Sequence, residues 1–250
     1  GEFMEVKNVK GLLVAIQEDT GEAVYLNPLN GSSAPHTLVA GETGSGKSVL
    51  MNNMLYCLKD RFPQGEIKVI IMDPKQVEFM EFSNVPNFKV VTDKETAIAE
   101  FQELVAEMKK RYTIFKEFKC KKISQLSEKP EAPKLPIIWC FHDEFAEWFR
   151  DNSYKESVTN DVNSLGAMAR AAGIFLVFAT QRPEATIMPP ELRSNLTNRL
   201  ILKVADPGTS AISLGDAKAF GAANELLGNG HMIIISGAKK AYCQVPNIRD

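Results

Sequence analysis

The sequence predicts a three-layer α/β domain, and three observations carry that expectation. Apolar runs of strand length alternate with segments of helical periodicity along most of the 250 residues. Two runs, Ile67–Met72 and residues 137–141, are apolar nearly throughout, as parallel strands covered on both faces require. A further run, Thr37–Ala40, passes straight into a glycine-rich turn and then a helical pattern.

Taken in order, residues 12–16 and Ala23–Leu26 flank Asp19-Thr20-Gly21 and are expected to form a small N-terminal β hairpin within segment 4–34. Thr37–Ala40 opens the main domain, expected over 35–250. Residues 47–59 follow helical spacing through Val49, Leu50, Met54, Leu55 and Leu58. After Ile67–Met72 and its Asp73-Pro74 stop, a long helix is expected over 94–118, with Phe101, Leu104, Val105, Met108 and Tyr112 on one side. Residues 127–136 hold three prolines and read as a loop. Strand 137–141, helix 157–172, strand Ile174–Thr180 and strands 200–205 and 232–236 complete the series. Gly1-Glu2-Phe3 before Met4 reads as a cloning scar, and the charged end Arg249-Asp250 as the edge of something longer.

Composition narrows the classes. With 44% apolar and 24% charged residues the chain can build a full core, which excludes disorder as its main state. A net charge of -2 supplies no bulk field for polyanions, so any such contact must come from a local patch or from repetition around a ring. The 4 cysteines, Cys57, Cys120, Cys140 and Cys243, are too dispersed for a zinc knuckle or a disulfide framework, and a reducing cytoplasm is expected. The apolar runs fall far short of the ~18 residues that span a membrane.

The chemistry concentrates at strand ends. Gly41-Glu42-Thr43-Gly44-Ser45-Gly46-Lys47-Ser48 fits G-x-x-x-x-G-K-[ST] between a strand and a helix. Its glycines let backbone N–H groups curl around a phosphate, and the helix start adds partial positive charge. Lys47 is expected to reach the β- and γ-phosphates of ATP and Ser48 to hold Mg²⁺, with Val49 included in the nucleotide contact. Strand 137–141 leads into His142-Asp143-Glu144, where Asp143 suits the Mg²⁺ shell and Glu144 suits a general base toward water. A phosphotransferase with another acceptor has no need of that second carboxylate, so the pair favours hydrolysis.

Thr180-Gln181-Arg182-Pro183 ends the strand beside the phosphate strand, and Thr180 or Gln181 could report the γ-phosphate, orient water, or merely cap the strand. Arg170, among small residues, fits either a helix-end cation or a finger inserted into a neighbouring subunit's ATP site. Lys109, Lys110, Arg111, Lys116, Lys119, Lys121 and Lys122 form the one basic block, a solvated helix face or a phosphate-contacting strip. Trp139 and Trp148 read as packing residues, and His36, His142 and His231 are too scattered for a metal site.

These motifs, in this order, resemble the motor domain of the FtsK/SpoIIIE DNA translocases. The match runs from Pro35 to Ser48, through Ile71-Met72-Asp73-Pro74-Lys75, Met108-Lys109-Lys110-Arg111-Tyr112 and Asp143-Glu144-Phe145-Ala146. It continues in Ala169-Arg170-Ala171-Ala172-Gly173, Ala179-Thr180-Gln181-Arg182-Pro183, Gly221-Ala222 and Leu226-Leu227-Gly228-Asn229-Gly230. The resemblance implies a RecA-like P-loop NTPase core in a homohexameric ring, with double-stranded DNA in the pore and ATP between subunits. It favours Arg170 as the arginine finger and Gln181 as the γ-phosphate sensor. It also implies a cytoplasmic motor, and leaves room for membrane anchoring through segments outside these residues.

Three departures, His142, His231 and Ala211, stand where the family usually has an aliphatic residue, Asp and Arg, and suggest a divergent, plasmid or conjugative-element branch. A related ATPase for protein secretion of the type VII kind is the alternative. A nucleotide-gated recruitment module without turnover is a third reading, disfavoured by the intact acidic pair.

Overall fold

Alternate side chains of each central strand enter two different cores, which is why the strands are apolar without a polar face. In β4 (Ile67–Met72), Ile70 and Met72 join one cluster while Val69 and Ile71 join the other. β6 (Ile137–His142) divides in the same way, with Ile138 and Cys140 opposite Trp139 and Phe141. β7 (Ile174–Thr180) sends Leu176 and Phe178 one way and Phe175 and Val177 the other.

The structure is a computed structural model that describes residues 11–29, 34–184 and 186–247. Residues 1–3, 4–10, 30–33 and 249–250, on which the cloning-scar, N-terminal-segment and chain-end readings partly rest, lie outside the described residues. The other strands are β1 (Leu12–Gln17), β2 (Ala23–Leu26), β3 (Thr37–Ala40), β5 (Phe88–Val91), β8 (Asn198–Leu202), β9 (His231–Ser236) and β10 (Lys239–Gln244). All belong to one sheet in the order β2-β1-β10-β9-β8-β3-β7-β6-β4-β5. From β8 to β5 the neighbours are parallel, and from β8 outward to β2 they are antiparallel. The N-terminal hairpin therefore extends the sheet edge through β10 rather than standing apart from it.

One face carries α1 (Lys47–Arg61), whose Leu50, Met51, Met54 and Leu55 share a core with β1 and β2. The other carries α2 (Lys94–Glu117), α4 (Phe145–Phe149), α5 (Asn152–Met168), α6 (Pro190–Asn195) and α7 (Pro207–Leu214). The short α3 (Ile123–Ser127) seals a small cluster with Phe115. The result is the expected three-layer α/β arrangement.

The differences from the sequence pattern have local causes. α5 begins five residues before the expected 157, because the Asp151 carboxylate accepts from Ser153 and Tyr154 N–H and caps the helix there. It stops at Met168, and Gly173, with φ +73°, turns the chain into β7. β5 has only four residues and β10 exposes its lysines, so neither shows a strong periodic signal. Val49, counted with the apolar helix face, is 43% exposed and faces a cavity instead. Among the described residues no helix is long and apolar enough to cross a membrane.

Candidate active site

The glycine-rich turn is built by its own backbone. Ala40 ends β3, and Gly41 N–H donates to the Thr180 carbonyl at 3.2 Å, which ties the turn to the end of β7. Gly44 and Gly46 take φ of +80° and +102°, conformations that side-chained residues rarely adopt. A Cβ at Gly46 would stand 2.8 Å from Gly230 N, whose N–H in turn donates to the Ser45 carbonyl at 2.7 Å. The turn and the Gly228-Asn229-Gly230 bend are thus in backbone contact, and α1 starts at once with Lys47.

Two carboxylates meet that lysine. Asp143, buried at the end of β6, lies 2.5 Å from Lys47 Nζ through its Oδ1. Glu144 has φ 39° and ψ 45°, a strained left-handed conformation that swings its side chain toward β7. Its Oε1 accepts from Thr180 Oγ1 at 3.0 Å and from Gln181 N–H at 3.1 Å. Gln181 Oε1 accepts from Thr43 Oγ1 at 3.2 Å. Lys47, Asp143, Glu144 and Gln181, drawn from three separate segments, therefore form one connected group.

Behind this group His142 is wholly buried in an aromatic nest that includes Trp148, Phe149 and Phe178. Its Nδ1 is 3.1 Å from the Asp143 carbonyl and its Nε2 is 3.2 Å from Tyr154 Oη. A carbonyl only accepts, so Nδ1 carries the proton and Nε2 accepts from the tyrosine. Burial pulls the imidazole pKa down to about 4, so the ring is a neutral support for the acidic strand end. His231, the second departure, bonds Leu227 N–H through Nδ1 at 3.1 Å, and its Nε2 is 3.0 Å from Glu18 Oε1 on the hairpin turn. Ala211 lies exposed on α7.

A cavity of about 690 Å³ opens over the turn, and Glu42, Thr43, Gly44, Gly46, Lys47, Ser48 and Val49 line its floor. The donor set fits a polyphosphate. Gly44 and Gly46 take left-handed backbone conformations, Ser45 Oγ is buried without a hydrogen-bond partner, and a 15-residue helix begins at the lysine. Mg²⁺ fits too. Ser48 and Asp143 offer two oxygens, and among the described residues no group of three His, Cys, Asp or Glu could hold an ion alone. Such an ion would share its coordination with phosphate and water, as Mg²⁺ commonly does.

Sequence reasoning missed part of the wall. Gln244, Val245, Pro246 and Asn247 close one side of the cavity, held by Val245 N–H on the Gly230 carbonyl at 2.9 Å and Asn53 Nδ2 on the Pro246 carbonyl at 2.7 Å. No local pattern announces them. Lys75 and Glu78 also reach the cavity, from the turn after β4.

Arg170 is elsewhere. It precedes β7, whereas the phosphate turn follows β3, and the two strands run parallel with Ala40 opposite Thr180. Seven strand residues at ~3.3 Å each set it roughly 20 Å from the phosphate end of its own chain. The turn that carries it is fastened to α2 and α3. Met168 O accepts from Tyr112 Oη at 2.7 Å, Ala171 O from Ile123 N–H at 2.9 Å, and Ala172 O from Arg111 Nη1 at 2.8 Å. Arg111 is consequently buried and no part of an exposed basic strip, while Lys109, Lys110, Lys116, Lys119, Lys121 and Lys122 remain exposed.

Comparison with known proteins follows the same lines. The model of the FtsK/SpoIIIE family matches residues 6–185. DNA translocase FtsK of Oceanobacillus iheyensis is 35% identical over 238 residues, covering 90% of this chain and 29% of that protein. DNA translocase SpoIIIE of Bacillus subtilis is 35% identical over 233 residues, covering 88% and 28%. The chain thus spans less than a third of the length of these curated relatives. Among solved structures, the pCW3 conjugation coupling protein TcpA, in a monomer form with ATPγS, is similar with a TM-score of 0.83 at 27% identity, covering 97% of this chain and 68% of that one. The cytoplasmic domain of the Thermomonospora curvata type VII secretion ATPase EccC shares the fold, with a TM-score of 0.76 at 19% identity over 93% of this chain and 28% of that one.

Proposed function

Since the chain belongs to the FtsK/SpoIIIE family, we propose that it is the ATP-hydrolysing motor segment of a double-stranded DNA translocase that works as a ring. The observation that carries this reading is the division of labour across the sheet. Lys47, Asp143, Glu144 and Gln181 cluster at one end, and Arg170 sits at the other. A site that needs Arg170 must borrow it from a second copy, so hydrolysis and assembly are linked. Head-to-tail repetition of that contact closes into a ring, for which six copies are proposed.

In this mechanism Lys47 and the turn amides bind the β- and γ-phosphates of substrate ATP, and Ser48 with Asp143 would hold Mg²⁺. When bound, Mg²⁺ would neutralise developing phosphate charge. Glu144 takes the proton of the attacking water, and Gln181, on the same hydrogen-bonded strand end, orients toward the γ-phosphate. Arg170 of the adjoining subunit stabilises transition-state charge. Residues 35–250 form the motor unit and 4–34 its hairpin segment. Membrane attachment, where the full protein has it, lies outside this segment.

The test is ATP hydrolysis with and without long linear duplex DNA at low salt, across protein concentration. Stimulation that grows with DNA length and with protein concentration is expected. A hexameric sample that shows none would overturn the DNA reading in favour of protein transport, the activity named for the fold relative EccC.

A further inference from the structure

Lys75 belongs to neither the glycine-rich turn nor the acidic pair, yet it faces both. Its Nζ is 3.8 Å from Glu144 Oε2, and its side chain, 40% exposed, lines the nucleotide cavity. The backbone beneath it is braced by hydrogen bonds. The buried Asp73 carboxylate accepts from Gln76 N–H at 3.1 Å and Phe79 N–H at 3.4 Å, Phe79 is wholly buried, and Pro74 restricts the turn. A long cationic arm thus stands on a braced base, with its tip free to move between a carboxylate and the cavity.

Charge balance gives that arm a task. Lys47 and Lys75 face Asp143 and Glu144 at the edge of the cavity, where Lys47 and both carboxylates are buried, Lys75 is half-exposed and the buried Asp73 carboxylate adds negative charge near Asp143. Glu144 is also the acceptor for Thr180 and Gln181, so its lone pairs are engaged on both oxygens. A terminal phosphate entering beside Lys47 competes with Glu144 for the second ammonium, because charge-assisted bonds to phosphate are strong and the arm reaches both.

We propose that Lys75 is a positioning residue that exchanges Glu144 for the terminal phosphate of a bound nucleoside triphosphate. With the ammonium on Glu144 the carboxylate's charge is countered, and with the ammonium on phosphate the carboxylate keeps only its hydrogen bonds from Thr180 and Gln181 and is a stronger base toward water. The exchange needs a third phosphate, so Lys75 discriminates triphosphate from diphosphate and links recognition to the freeing of the base. This rests on the reading of Glu144 as the general base.

The experiment is equilibrium titration of fluorescent ATPγS and ADP, with Mg²⁺, against the whole chain and four variants. These are Lys75→Ala, Lys75→Arg, Glu144→Gln and the double variant Lys75→Ala/Glu144→Gln. Lys75→Ala should weaken ATPγS about tenfold and ADP less than about twofold, with Lys75→Arg restoring most of the difference. Glu144→Gln, which removes the competing anion, should tighten ATPγS about threefold or more when Lys75 is present and leave it unchanged when Lys75 is alanine. Equal weakening of both nucleotides by Lys75→Ala, or the same effect of Glu144→Gln with and without Lys75, would overturn the proposal. Wild-type turnover of ATP by Glu144→Gln would overturn the general-base reading alone, since the binding cycle involves no hydrolysis.

Discussion

Replacing Arg111 by methionine isolates what holds the Arg170 turn. The guanidinium is fully buried, with Nε donating to Glu107 Oε1 at 2.8 Å and Nη1 to the Ala172 carbonyl at 2.8 Å. Methionine keeps much of the aliphatic stem and loses every donor. The stranded Ala172 carbonyl costs about 1–3 kcal/mol. The Glu107 carboxylate is 28% exposed and has Lys110 at 3.9 Å, so losing its arginine adds about 0–1 kcal/mol. Burial disfavours the cation, drawing its pKa below the usual arginine range, and Nη2 has no hydrogen-bond partner. Removing that desolvated charge returns about 1 kcal/mol. The net loss is about 1.5 kcal/mol, which for a domain of this size lowers Tm by roughly 3–6 °C. Differential scanning fluorimetry reads the first effect. The DNA-stimulated ATPase rate reads the second, and it should fall further than stability does, because Ala172 is two residues from Arg170. A variant within about 1 °C of wild type and equally active would refute the claim that this guanidinium positions the turn.

Three further outcomes are expected. Arg170→Ala should lose at least about a thousandfold in assembled ATPase rate, and an equal mixture with Lys47→Ala subunits should recover about a quarter of wild-type activity, the fraction of interfaces in which both groups survive. Mixtures as inactive as their components would argue against a shared site. His36 and His142 are both held near a pKa of about 4 by burial, against 6.5 when free. The unfolded chain then binds more protons, so stability is complete above about pH 6.5 and falls with pH toward about 4, by about 3 kcal/mol for each histidine. Urea midpoints measured across that window should show the decline, and His142→Phe should flatten part of it. Gly46→Ala brings a Cβ to 2.8 Å from Gly230 N at φ +102°, so calorimetric ATPγS binding should weaken more than tenfold. Gly44→Ala, with nothing within 4 Å of its Cβ, carries only backbone strain of about 1 kcal/mol and should bind measurably better.

Three of the parallel strands were legible residue by residue because both faces are buried, whereas β8 runs over Asn198–Leu202 rather than the expected 200–205. Thr37–Ala40, Ile67–Met72 and Ile174–Thr180 have the bounds their apolar runs imply. Weakly patterned elements were not, since β5 is a short edge strand with Lys89 exposed and β10 opens on two adjacent exposed lysines before Ala241 and Cys243 turn inward. The phosphate turn could be read for a similar reason. Its glycines, lysine and serine are contiguous, and their chemistry depends on backbone conformations that those residue types dictate.

What the sequence alone determined is therefore local: which strongly apolar segments are strands, where the glycine-rich turn lies, and which strand end carries two carboxylates. The tertiary structure decided everything that depends on distance between segments. It set Glu144 against Thr180 and Gln181, brought Lys75 within reach of that carboxylate, and folded Val245 and Pro246 over the cavity. It also moved Arg111 from an apparent basic strip into a buried hydrogen bond. The physical reason is that a charged side chain has no periodic signature. Its partner is chosen by strand order and by the cost of leaving it unpaired in the interior, and both become defined only when the sheet closes.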